Sequence, residues 1–233
     1  MAPGTPTAID PGLDIRMLRL LQLVSPTLPV GAFAYSQGME WAAEAGWLDN
    51  AAQAFQWIGG LLTGSLANFD VPILGRLYGA WQVQDVERFD YWNRYLLAGR
   101  GSAELQQEER HMGQALLRLL TQLQPGGMIR EPGGEPAFTA MFAVAACNWQ
   151  IGPEATCAGL LWAWVENQVA AAVKLIPLGQ TDGQRLLMDL AECIPGAVQH
   201  GLTLDDLAIG ASAPGLSMAS ALHETQHTRL FRS

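Results

Sequence analysis

Charge is scarce in this 233-residue chain: Asp, Glu, Lys and Arg together make up 15%, against about 25% in an ordinary globular protein. Positive charge is the scarcer kind. Thirteen Lys and Arg face 22 Asp and Glu, for a net charge of −9 and an isoelectric point near 4.8. That balance argues against nucleic acid, whose capture rests on neutralising phosphates with Lys and Arg. Cysteine is rare too. Cys147, Cys157 and Cys193 form no C-x-x-C pair and leave an odd thiol in any pairing, which fits a reducing compartment better than a disulfide scaffold. Long apolar runs are missing. The most apolar zone, residues 137–178, is broken by Asn148, Gln150, Gly152-Pro153, Glu166, Asn167 and Lys174, so no stretch reaches the ~18 residues of a membrane span. The opening MAPGTPTAIDPGLDI has neither a basic n-region nor an apolar h-region, so no signal peptide is expected and the protein reads as cytoplasmic. Short β-branched runs alternating with period two are absent as well, which excludes a β fold.

What the chain does have is apolar residues, at 49%, and a length that buries ~70–75% of its unfolded surface. A surface so poor in charge leaves apolar area for other proteins. Residues 1–12 are rich in Pro, Gly and Thr and read as disordered, with Asp14 starting the first helix. That helix breaks at Ser25-Pro26 and cannot resume before Pro29, since each proline lacks an N–H and pushes its predecessor out of the α region. Gly31 then permits a backbone conformation a side chain would forbid. Ser36 is placed to cap a helix over residues 37–45, with Glu40 in its first turn. A stiff double-proline loop between helices costs little entropy to hold, which suits a docking surface.

Further helices follow from their caps. Asn50 with Gln53 opens one, residues 68–84 form another around Val71-Pro72, Asp85 caps 86–97, and Ser102 caps a long helix to residue 123. Residues 125–136, with four glycines and three prolines, form the clearest loop, read as an excursion within one bundle. Helices over 136–149 and 153–175 are apolar on nearly every face and should be central. A helix over 180–193 ends at Pro195-Gly196, Thr203 with Asp206 resembles a capping box, and a last helix runs from residue 216 towards 229. The expectation is an all-α, single-domain bundle of about ten helices. It divides into a disordered 1–12, a helical body over 13–215 and a C-terminal helical tail over 216–233.

Candidate chemistry is sparse. His223-Glu224-Thr225-Gln226-His227 spells H-E-x-x-H, which on a helix sets two imidazoles on one face beside a glutamate. Only six residues follow it, so a downstream third zinc ligand is lacking. No firm metal site is expected; His223 and His227 are weak candidates for transient Ni²⁺ or Zn²⁺, both of which suit imidazole. The stretch Gly59-Gly60-Leu61-Leu62-Thr63-Gly64-Ser65 has phosphate-loop glycines without the lysine, and reads as a close helix–helix contact. Glu40 with Glu44, and Glu104, Glu108 and Glu109, read as solvated helix faces. Lys174, the only lysine, ends an apolar helix; it either neutralises that helix terminus or meets a specific partner. No catalytic set emerges, so the chain reads as a binding protein and not an enzyme.

Three stretches carry a resemblance. They are LLQLVSPTLPVGAFAYSQGMEWA at residues 20–42, VKLIPLGQT at 173–181, and ASALHETQ at 219–226 continuing to Leu230-Phe231-Arg232-Ser233. In that order they resemble the UreF family of urease accessory proteins. The resemblance implies an all-helical homodimer with no tightly bound cofactor. It would join UreD (also called UreH) to the GTPase UreG, in an assembly that delivers nickel to apo-urease. It places partner contacts at Pro29, Gly31, Tyr35, Ser36 and Glu40, at Lys174 and Gln180, and at His223, Glu224, Arg229, Leu230, Phe231 and Arg232. The tail, with two arginines and two apolar anchors, resembles a segment that orders on binding. Two roles stay open: a scaffold that positions UreG, or a GTPase regulator that supplies an arginine in trans.

Overall fold

The computed structural model describes residues 14–123 and 133–233. The expected disordered segment 1–12 and most of the loop at 125–136 lie outside the described residues. Asp14 accepts the Arg16 amide at 2.9 Å and starts helix α1, Ile15–Leu23. The Ser25-Pro26 to Pro29 loop follows, then a short 3₁₀ turn, Ala32–Ala34, and α2, Met39–Glu44. Asn50 accepts the Gln53 amide at 3.1 Å and opens α3, Ala51–Leu61, which runs into a π-helical turn, Leu62–Leu66. Next come α4, Asp70–Gln82, and α5, Val86–Ala98, the latter capped by Asp85 on the Arg88 amide at 3.1 Å. Ser102 accepts the Leu105 amide at 3.2 Å at the head of α6, Ala103–Leu123. The remaining helices are α7, Phe138–Asn148; α8, Pro153–Leu175; α9, Gln180–Ala191; α10, Ile194–Thr203; and α11, Pro214–His223. Among the described residues the fold is all-α, with no strand.

Helix α7 sits at the centre, packed by α4, α6, α8 and α1. Its residues Ala140, Met141, Phe142, Ala143, Val144, Ala145 and Ala146 are fully buried. A helix apolar all round has no solvent face to present, so it must be enclosed by others. Its alanines let those neighbours approach closely, and Phe142 and Met141 fill the space between them. The long α8 runs alongside and contacts α2, α3, α4, α9 and α10 as well, with Pro153 at its first turn, where a missing N–H costs nothing.

Four expectations are corrected. Pro195-Gly196 does not end the helical run: Pro195 stands in the first turn of α10, which extends to Thr203. Thr203 therefore closes a helix and does not cap one, and its hydroxyl donates back to the His200 carbonyl at 2.7 Å. The last helix stops at His223, six residues short of the expected limit at residue 229. Of the closely spaced glycines, Gly60 and Gly64 meet open space, and only Gly59 approaches another helix, at Leu190.

Candidate functional site

Helix α2 is short because its entry is distorted. Gln37 and Gly38 both take positive φ, 54° and 76°, so helical geometry starts only at Met39. The Ser36 hydroxyl still accepts the Glu40 amide, at 3.3 Å, but it also donates to the main-chain oxygen of Ser233 at 2.6 Å. Glycine is needed at position 38 for a second reason: a Cβ there would stand 2.8 Å from the backbone nitrogen of Ser220 in α11. The bare backbone lets α11 lie directly against the start of α2.

Beyond α11 the chain turns back on itself. The Arg229 guanidinium ties that turn together. Its Nε donates to the Gln226 carbonyl at 2.9 Å, another nitrogen to the Glu224 carbonyl, and Nη1 to Glu104 Oε1 at 2.7 Å. Residues 230–233 then lie along residues 34–40. Leu230 and Phe231 donate their amides to the two oxygens of Glu40, at 2.6 and 2.8 Å. Arg232 donates its amide to the Ala34 carbonyl at 2.7 Å, and the Ser36 amide donates to the Ser233 main-chain oxygen at the same distance. The Phe231 ring is buried, with the Lys174 ammonium 5.5 Å from its centroid. A cation over an aromatic face is attracted by the ring quadrupole.

Acidic side chains underpin this closure. His223, with 0% of its surface exposed, places Nε2 3.2 Å from Glu40 Oε2 and Nδ1 2.8 Å from Glu104 Oε2. One turn along α6, Glu108 accepts the Ser233 hydroxyl at 3.0 Å and the Gln37 amide nitrogen at 2.8 Å. Burial pushes the Glu108 carboxyl up to about 7; the bonds from Gln37 and Ser233 pull the other way, Glu109 adds to the rise and Arg100 opposes it. Gln37 in turn accepts the Trp164 indole at 2.8 Å, and Asn167 donates to the Tyr35 carbonyl at 3.0 Å. Burial also raises the Tyr35 hydroxyl, as does the Glu108 charge, while a hydrogen bond from Arg232 lowers it.

Behind the loop lies a cleft of about 110 Å³, lined among others by Gln37, Asp70, Arg100, Glu108, Glu109 and Trp164. Arg100 spans Asp70 and Glu109 at 2.5 Å each. Burial works against its charge, but those two carboxylates outweigh it and hold the guanidinium charged. Glu104, Glu108 and Glu109 therefore do not form the solvated face that the sequence suggested: Glu108 and Glu109 are buried, and Glu104 is half-buried.

Nine of the sequence-derived positions meet in this closure: Tyr35, Ser36, Glu40, Lys174, His223, Arg229, Leu230, Phe231 and Arg232. Glu224 stands just behind, accepting the Ala103 amide at 3.1 Å. Pro29 is exposed and Gly31, at φ 82°, is half-buried in the loop. Gln180 is exposed as the first residue of α9. The H-E-x-x-H spacing does not become a helix face, because α11 ends at His223 and His227 lies beyond it. Both nitrogens of His223 are engaged by carboxylates, and among the described residues no group of three His, Cys, Asp or Glu could hold a metal. Glu104, Glu108, Gln37 and Ser233 were missed as site residues. The i, i+4 spacing of Glu104 and Glu108 was the available signal.

Fold and closure together define an all-helical protein whose C-terminal segment fills a seat in its own body. The family model for UreF matches residues 48–191. The urease accessory protein UreF of Alkalilimnicola ehrlichii is 48% identical over 231 residues, covering 97% of this chain and 99% of its own. That of Teredinibacter turnerae is 45% identical, over 95% of this chain and all of its own. The one from Marinobacter nauticus is 44% identical over both full lengths. The chain belongs to the UreF family.

Proposed function

We propose that this chain is a urease accessory subunit that acts as a scaffold in nickel insertion. It bridges UreD (UreH) and the GTPase UreG for delivery to apo-urease, and works as a homodimer in the cytoplasm with no tightly bound cofactor. Nickel passes only transiently. Identity of 48% and 44%, over nearly the full length, to proteins named urease accessory protein UreF supports the role. The observation that carries the bridging reading is the C-terminal closure. It holds its own backbone through Glu40 and Ser36 while leaving Leu230 65% exposed, with Phe33 of the adjoining loop 68% exposed. Large apolar side chains held out on an anchored backbone are pre-organised for a partner, because little ordering entropy remains to be lost. Arg229, Arg232 and Lys174 supply positive charge beside them on a chain that is acidic elsewhere.

The test is capture of UreD from co-expressing cells. Deleting residues 228–233 abolishes capture while the far-ultraviolet circular dichroism of the helices persists; a truncated protein that still retains UreD refutes the bridging role. Regulation of UreG is a second reading, favoured by one observation. Arg232 is exposed with its backbone fixed to Ala34 and its side chain against Tyr35, so it is a positioned arginine. GTP turnover by UreG separates the two. Under the scaffold reading Arg232→Ala leaves turnover in the assembled complex unchanged; under the regulatory reading it removes a stimulation of about 10³-fold or more, on the order of that supplied by arginines in trans elsewhere.

A further inference from the structure

The carboxylates on the wall of the cleft are unequally satisfied. Glu109 uses both oxygens: Oε1 meets Arg100 at 2.5 Å and the Thr139 hydroxyl at 3.3 Å, and Oε2 accepts the Thr139 amide at 3.3 Å. Asp70 uses one. Its Oδ1 meets Arg100 at 2.5 Å, while Oδ2, in a residue only 4% exposed, is buried without a hydrogen-bond partner. A carboxylate oxygen can only accept, and an unpaired buried acceptor carries the full cost of its lost hydration. The charges are unequal too. Two carboxylates face one guanidinium, so this group holds an excess negative charge away from water. Glu108, on the same wall, is already occupied by Gln37 and Ser233.

Much of the remaining lining is apolar, with Leu66, Leu105, Met112, Leu160 and Ala163. Leu66 comes from the π-helical turn that precedes α4, a distortion often found where a helix serves a site. The cleft is partly open to solvent, and its 110 Å³ has room for several water-sized groups. An occupant that matches this lining brings positive charge and an N–H donor for Asp70, and an apolar body for the leucines. A bare metal ion matches poorly, since among the described residues no group of three His, Cys, Asp or Glu is placed to hold one. We propose that the cleft is a binding site for a small alkylammonium, whose N–H donates to Asp70 Oδ2 while its stem packs on the apolar wall. The ammonium offsets the excess charge and satisfies the one unpaired oxygen. This site needs none of the partners proposed above, so the two readings stand or fall separately.

Butylammonium is the probe, titrated into the full-length protein. The reporter is the indole N–H resonance of Trp164, which lines the cleft and donates to Gln37; its loss in Trp164→Phe assigns it. The wild type should show a saturable shift. Tetramethylammonium has the charge without an N–H, and 1-butanol has the stem without the charge. Both should bind at least about tenfold more weakly, the order expected for a hydrogen bond to a charged group. Asp70→Asn should lose a similar factor for butylammonium. Ala163→Leu fills the cleft and leaves every carboxylate in place, so it should abolish saturation. A linear response in the wild type, the mark of an adventitious additive only, overturns the inference. So does equal binding of the three probes, or an Asp70→Asn protein that binds as the wild type does. Should Asp70→Asn fail to fold, the ranking of the probes and Ala163→Leu decide, since neither alters a carboxylate; saturable binding retained in Ala163→Leu refutes the site.

Discussion

Helix α7 buries seven consecutive residues, Ala140 to Ala146, without a polar side chain among them. The closure around Glu40 buries two carboxylates, an imidazole, two serines and a stretch of extended main chain. Burial alone says nothing of how a region is held. In α7 the attraction is non-directional and scales with apolar area, so it changes little with pH or salt. In the closure nearly every bond has a direction and a charge behind it. The first region sets whether the chain folds; the second sets whether a surface is presented.

Four changes would break or sharpen that contrast. The largest is Phe142→Ala, which leaves a cavity beneath α7 and should cost about 3–5 kcal/mol of global stability. Urea denaturation should report it, while local opening of the C-terminal segment should be unchanged. Glu40→Gln should act the other way round. It weakens charge-assisted bonds to Leu230, Phe231 and His223, costing about 2–3 kcal/mol in hydrogen–deuterium exchange of the 226–233 peptide, with a smaller fall in the urea midpoint.

Glu108→Gln probes pH. The native state holds the Glu108 proton to about 7, above the ordinary 4.5. The stability it contributes is thus complete below about 4.5, and it is lost as pH rises through 7. The glutamine variant should flatten that decline and be about 1–2 kcal/mol more stable than wild type near pH 8, short of the ~3 kcal/mol that the whole shift would represent. Equal slopes in thermal melts of both proteins across that range would show that Glu108 is not the group responsible. The smallest effect belongs to Lys174→Met, which removes the cation over Phe231 and should speed exchange of the segment by two- to fivefold, about 0.5–1 kcal/mol at an exposed site.

The sequence was most legible where structure is local. Asn50, Asp85 and Ser102 cap helices as their types and positions suggest, because a cap needs only the next three residues. Pro153 and Leu175 bound α8 at the expected residues for the same reason. Pro195 misled because proline both ends a helix and opens one, and only packing against α4 and α8 decides which. The start of α2 was misplaced by a contact that no window could see, since Ser36 and Ser233 are 197 positions apart. Distance in sequence also hid the acidic residues of α6. Glu108 and Glu109 have the spacing of a solvated face, and become interior only when Ser233, Gln37, Arg100 and Thr139 arrive from elsewhere. Of the candidate contact residues, the stiff loop was readable from its prolines, but the pairing of residues 34–40 with the tail was not.

The 197-residue span between Ser36 and Ser233 has a consequence for synthesis. At ~5–20 residues per second, a ribosome finishes α2 many seconds before it adds the residues that occupy Glu40 and Ser36. Throughout that interval the nascent polypeptide carries an empty cradle. The closure is therefore assembled only as translation of Leu230 to Ser233 is completed, and an incomplete chain has no means of forming it.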